Sequence, residues 1–197
     1  MKKFIHIIFI IFLSCKADPL IITNEDFILS ENIDIIFCEN KLNNQGEFLG
    51  CYIDDCIAIN NNCYYENDYN FLSNIIIQNN LQHLDAIQLG VQTWSYGRLI
   101  TLKINNLQLM TVPENIGDLI TLMELDLSSN NIISIPESIG DLYMLTDLNL
   151  ENNQLTSLPE TICNIQCDCN INLDNNNLCD EFDFECLIDT SNQDCFK

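Results

Sequence analysis

With 197 residues the chain has room for one domain, or one domain with a small appendage, and its 29 acidic against seven basic residues give a formal net charge of −22. A chain this acidic does not hold nucleic acid through the phosphates, nor does it settle on anionic lipid by charge. Eleven cysteines and an apolar content of 47% leave two questions: which thiols pair, and where the apolar residues gather.

Met1-Lys2-Lys3 is followed by an apolar run from Phe4 to Leu13, broken only by His6. That is a basic start and an apolar stretch too short to span a bilayer, the form of a secretory signal. Two exits are open. Leu13-Ser14-Cys15 resembles a bacterial lipoprotein box, with Phe12 where Leu is usual; the signal is then residues 1–14 and Cys15 is lipidated. Cleavage after Ala17 makes it residues 1–17. Either way the chain is expected to be secreted or held at the cell surface, touching a membrane only through an anchor at Cys15. Without Cys15, ten cysteines remain, four before residue 64 and six from Cys163 onward, and an even number in each group suits disulfide pairing.

Residues 15–63 are rich in Asn and Asp and carry Cys38, Cys51, Cys56 and Cys63. In an exported chain with no histidine nearby, these are expected to be disulfides stapling a segment with little core, rather than a metal knot. Three connectivities are open. Residues 64–98 read as a helix and a hairpin. Leu72, Ile75, Ile76 and Asn79 share a helical face, although Leu72-x-x-Ile75-x-Ile77-x-x-Asn80 also scans like the pattern that follows. Ile87 to Trp94 reads as a strand, with Ser95-Tyr96-Gly97 as the turn that delivers Arg98. Trp94 is expected to pack in a cap.

From residue 99 to 165 the chain repeats. Leu122-x-x-Leu125-x-Leu127-x-x-Asn130-x-Ile132-x-x-Ile135-Pro136-x-x-Ile139-Gly140-x-Leu142 recurs 23 residues later as Leu145 to Ile165, with Cys163 at the glycine position. An earlier copy, Leu99 to Leu119, keeps every apolar position but has Leu107 in place of the Asn. So many matches at one period indicate stacked units, none of which buries enough surface to fold alone. In Leu125-x-Leu127 the period is two, so the leucines point to one side of a short strand while Glu124, Asp126 and Ser128 point to the other. Asn130, Asn153 and Asn176 fall in one column, where a buried amide satisfies backbone groups turning away from the strand. Pro113, Pro136 and Pro159 lack an amide hydrogen, so each proline half should return as a helical or 3₁₀ turn.

This pattern resembles that of the leucine-rich-repeat family, in its 23-residue Leu-Pro-x-x-Ile-Gly-x-Leu form, from about Leu99 to Leu178. The resemblance implies an α/β fold: a short right-handed solenoid with parallel strands on a concave face, short helical turns on a convex face, and disulfide-rich caps at both ends. Residues 166–197 hold half a repeat, Ile171 to Leu178, and then a cysteine-rich end. Cys163, Cys167, Cys169, Cys179, Cys186 and Cys195 are expected to be structural disulfides there.

Little in the sequence suggests catalysis. Downstream of the leader there is one histidine, His83, in a polar stretch, and neither phosphate-loop nor dinucleotide glycine motif occurs. The expected activity is non-enzymatic binding by a monomer. The resemblance implies docking of a protein or peptide on the concave face, whose outward positions include Lys103, Glu124, Asp126, Ser128, Asp147, Asn149, Glu151, Asn172 and Asp174. Being acidic, that face should favour a basic surface. No cofactor is expected. Alternatives are a calcium-binding adhesion module, using the acidic rows or Asp174–Glu185 although the glycine-bearing loop is missing, and a passive spacer.

Overall fold

The computed structural model describes residues 38–43, 45–51, 54–165 and 169–178, together with two short strands, β1 (Phe9–Ile11) and β2 (Leu20–Ile22), paired antiparallel. Cys15 lies outside the described residues, as do Cys167, Cys179, Cys186 and Cys195. The architecture is mixed α/β, with one helix, a five-stranded and mostly parallel sheet, and small hairpins before it.

Two hairpins open the described chain: β3 (Asn40–Leu42) with β4 (Phe48–Cys51), and β5 (Cys56–Ile59) with β6 (Asn62–Tyr65). Asn60 and Asn61 turn the second with φ of 50° and 62°, the left-handed geometry that suits a two-residue hairpin loop. Of the three pairings open in the sequence, the fold adopts Cys38–Cys56 and Cys51–Cys63, with Cα–Cα distances of 5.8 and 5.7 Å. The disulfides form the centre of a small cluster of their own, separate from the main core.

The helical reading of the next segment holds. Helix α1 (Glu66–Gln78) buries Asp68, Phe71, Leu72, Ile75 and Ile76 on one face. At its C-terminal end Asn79 donates from Nδ2 to the carbonyls of Ile75 and Thr111, while its Oδ1 accepts from the amides of Met110 and Thr111. One amide thus ties the helix end to the first repeat. The strand expected over Ile87–Trp94 is shorter than that. Ala86–Gln88 is a 3₁₀ turn capped by Asp85, and Gly90 (φ 67°) redirects the chain, so β7 begins only at Val91 and runs to Ser95. Three alternating residues were too few to resist the Asp85 cap and the glycine that follows.

β7 pairs antiparallel with β8 (Arg98–Lys103) through a turn at Tyr96-Gly97, and from β8 onward the sheet is parallel. β9 (Glu124–Asp126), β10 (Asp147–Asn149) and β11 (Asn170–Asn172) follow in strand order, each 23 residues after the last. Leu102, Leu125, Leu148 and Ile171 are directly in register. The columns Leu99/Leu122/Leu145 and Ile104/Leu127/Leu150/Leu173 are buried beside them. Between strands the chain returns through 3₁₀ turns at Glu114–Asp118, Glu137–Asp141 and Glu160–Asn164, each beginning after its proline. Ile116, Ile139 and Ile162 enter the core from these turns, and a single apolar cluster runs from Phe71 to Leu178.

Gly140 shows why the repeat keeps a glycine there. A Cβ at Gly140 would stand 2.4 Å from the carbonyl oxygen of Thr161 in the next repeat. In the last copy the position is Cys163, which is exposed and disulfide-bonded, and no further 3₁₀ turn follows it among the described residues.

Candidate functional site

The outward side of the sheet is a grid set by the strand register. Thr101, Glu124, Asp147 and Asn170 form one row across the strands, and Lys103, Asp126, Asn149 and Asn172 form the next. Asn105, Ser128, Glu151 and Asp174 continue it just past the strand ends. Alternation puts these side chains opposite the buried leucines, and the inter-repeat backbone bonds keep the spacing constant. Ile104, Leu127 and Leu150 donate to the carbonyls of Asp126, Asn149 and Asn172 at 2.7–2.9 Å.

Beneath the grid lies the asparagine column. Asn153 donates from Nδ2 to the carbonyls of Leu127 and Leu150, both at 3.0 Å, and accepts at Oδ1 from the amide of Ile132. Asn176 repeats this with Leu150, Leu173 and Leu155. Asn130 does so with Ile104 and Leu127, and accepts from both Leu107 and Leu109. Each amide reaches back into the preceding repeat. Leu107 has no such amide, and the strand beside its repeat is the antiparallel β7 rather than another copy.

The middle row does two jobs. Asp126 Oδ1 accepts from the amide of Ser128, Asn149 Oδ1 from Glu151, and Asn172 Oδ1 from Asp174, all at 3.0–3.1 Å. These are three identical Asx turns that close the strand ends, a role the sequence reading missed; the signal was an Asp or Asn at the same position in three copies. Burial acts to raise the Asp126 carboxyl, but hydrogen bonds from Asn105 and Ser128 and the charge of Lys103 outweigh it and hold the group below the usual carboxylate range. The positions after the turn, Asn106, Ser129, Asn152 and Asn175, all have φ between 55° and 59°, a left-handed column in which Asn is well tolerated.

One grid residue lies on the expected side but is covered there. Ser128 is 9% exposed and its Oγ accepts from Asn105 Nδ2 at 2.8 Å, so it presents little surface to a partner. Lys103 pairs with Glu124 at 3.1 Å, both ends more than a third exposed. Glu151 accepts from Asn152 and from Asn172, and Asp147 accepts from Thr146. Asp147 is the most open acid of the grid, while Glu124, Glu151 and Asp174 are half-buried. The sheet face therefore carries five carboxylates and the single cation of an exposed ion pair.

Elsewhere, His83 is exposed in the loop after α1, and Trp94 is half-buried against the core, its Nε1 donating to Gln92 Oε1 at 2.9 Å. Cys169 is half-buried, with Sγ 4.0 Å from the Asn170 carbonyl oxygen. Among the described residues no three His, Cys, Asp or Glu side chains converge to hold a metal ion; beyond residue 178 the Asp174–Glu185 stretch lies outside them. No helix among the described residues is long and apolar enough to cross a membrane.

The sequence reading also missed a buried ion pair at the start of the sheet. Arg98, 1% exposed, donates from Nε and Nη2 to the two carboxylate oxygens of Asp68 at 2.9 and 3.0 Å, and the Leu99 amide donates to Asp68 at 2.8 Å. The guanidinium lies 4.2 Å from the centre of the Tyr65 ring. Burial pushes the Asp68 carboxyl above the ordinary carboxylate range, against the pull of Arg98 and of the Leu99 amide. No pattern marked the two residues as partners, since 30 positions separate them and neither belongs to the repeat. No protein-family model matches the chain, and no curated protein is significantly similar to it.

Proposed function

We propose that this chain is an exported leucine-rich-repeat protein whose repeats coil as a short right-handed solenoid, and that the outward face of its sheet docks a basic protein or peptide. The observation that carries the reading is the register itself: identical strands 23 residues apart hold Glu124, Asp126, Asp147, Glu151 and Asp174 on one rigid face with only Lys103 to oppose them. The two disulfides and the leader-like N-terminus support export; an oxidising compartment is where such bridges persist. Catalysis has no part in this reading.

The experiment is calorimetric titration with a Lys/Arg-rich peptide. Binding should weaken as salt rises, and should fall at least about tenfold in the variant Asp126→Asn, Asp147→Asn, Glu151→Gln. Glu114, Glu137 and Glu160 lie on the 3₁₀ turns across the core, and their replacement by Gln removes the same charge. If that control loses as much affinity, the peptide answers to net charge and the sheet face is not a site. A passive spacer predicts no difference between the variants, and a calcium module predicts a melting temperature that rises with added calcium.

A further inference from the structure

The molecule holds a second candidate surface, away from the sheet face and independent of it. A cavity of about 460 Å³ opens where the disulfide-linked hairpins meet the turn before β8, and Glu39, Tyr64, Trp94 and Tyr96 are among its walls. Tyr64 and Trp94 stand almost perpendicular, 76° apart with ring centres separated by 4.8 Å, and make an aromatic corner. The frame is firm. The Cys38 amide donates to the Tyr96 carbonyl, the Cys63 amide to Asn40 Oδ1, and the Tyr65 amide to the Gly97 carbonyl, while both disulfides brace the hairpins behind.

The turn at Tyr96-Gly97 supplies a second, separate observation. Tyr96 has φ of 48° and Gly97 of 74°, so both central residues are left-handed. At such a position Asn, Asp or Gly is favoured, and a bulky ring is strained. The chain uses the favoured residues in its other two-residue turn, at Asn60-Asn61, yet places a tyrosine here. Strain kept at a cavity wall is the signature of a side chain needed at that wall. The chemistry of the walls then narrows the occupant. The indole N–H of Trp94 is already spent on Gln92 and the side-chain Oδ1 of Asn40 on the Cys63 amide, and the walls carry the aromatic rings together with one charged group, the exposed Glu39. Aromatic surface beside a carboxylate attracts an organic cation and repels an anion.

We propose that Tyr64, Trp94, Tyr96 and Glu39 form a binding site for an alkylammonium ion, either the end of a lysine side chain or a free quaternary amine. Trp94 is the chain's only tryptophan, so its fluorescence reports on this site alone. Titration of the intact protein with choline should give a saturable change with a dissociation constant on the order of 1 mM. The neutral isostere 3,3-dimethylbutan-1-ol should bind at least about tenfold more weakly. Glu39→Gln, on an exposed residue, and Tyr96→Asn, which gives the turn its favoured residue, should each raise the constant at least about fivefold, and Tyr96→Asn should not lower the melting temperature. N-acetyl-lysine methylamide and its trimethylated form distinguish the two sources: tighter binding of the unmethylated form indicates a lysine side chain, and the reverse order a quaternary amine. Equal response to the neutral isostere, an unsaturable response, or unchanged binding in both variants would overturn the proposal.

Discussion

Residues 99–178 and residues 38–98 solve the same problem, holding short strands in place, by opposite means. In the first, every partner sits at a fixed distance along the chain. A strand leucine packs on its counterpart 23 residues away, and the buried amides of Asn153 and Asn176 find carbonyls 26 residues back and amides 21 residues back. In the second, the partners are singular: bridges closing 18 and 12 residues, an ion pair spanning 30, and one asparagine at the helix end. The repeated region spreads its stability over many modest contacts, whereas the lead-in concentrates it in a few that cannot be replaced one at a time.

The sharpest way to break that contrast is Asp68→Ala. It leaves the Arg98 guanidinium buried without its carboxylate, and should cost about 3–5 kcal/mol by urea unfolding. Changing Asp68 to Leu and Arg98 to Met together should restore much of that loss, because neither charge is then stranded. Next in size is the Cys38→Ser, Cys56→Ser pair, expected to cost about 3 kcal/mol from the loop it reopens. Limited proteolysis should then cut within residues 38–63 before it reaches the repeats.

Asn153→Ala tests the other side of the comparison. It strands the carbonyls of Leu127 and Leu150 and the amide of Ile132, and should cost about 2–3 kcal/mol. The reciprocal change sharpens the point: Leu107→Asn makes the first repeat match the consensus yet should not stabilise, since no earlier copy offers that amide its partners. The smallest expected effect is on pH dependence. The Asp126 carboxyl titrates below its ordinary value of 3.8 in the folded chain. Its contribution is therefore complete above pH 3.8 and lost as pH falls through the lower folded value. Asp126→Asn should flatten that acid limb in thermal melts while keeping the Asx turn, as Asn149 and Asn172 do in the neighbouring repeats.

What was legible in the sequence follows the same division. The strands, their register, the buried leucine columns, the asparagine column and the 3₁₀ turns could all be read, because repetition displays the spacing of partners directly. So could α1, whose apolar face has a helical period. The disulfide pairing and the Asp68–Arg98 contact could not, since nothing in a single sequence marks which distant residue an isolated cysteine or carboxylate will meet. Ile87–Leu89 was misread as strand because alternation over three residues cannot be told from a turn capped by Asp85. Ser128 lies on the outward side that parity gives it, hydrogen-bonded to Asn105 of the preceding repeat, but parity does not reveal how far such a neighbour covers it.

Native-state hydrogen exchange at Ile132 and Leu155, the amides that donate to Asn153 and Asn176, tests most directly whether residues 99–178 hold together as one stack of repeats carrying the acidic face. Both amides should exchange only through opening of the whole repeat region, with the same free energy as the amides of Leu127 and Leu150, which bond to the next repeat's backbone. Rapid exchange at Ile132 and Leu155, with protection confined to α1, β7 and β8, would contradict the stack and the recognition face proposed on it.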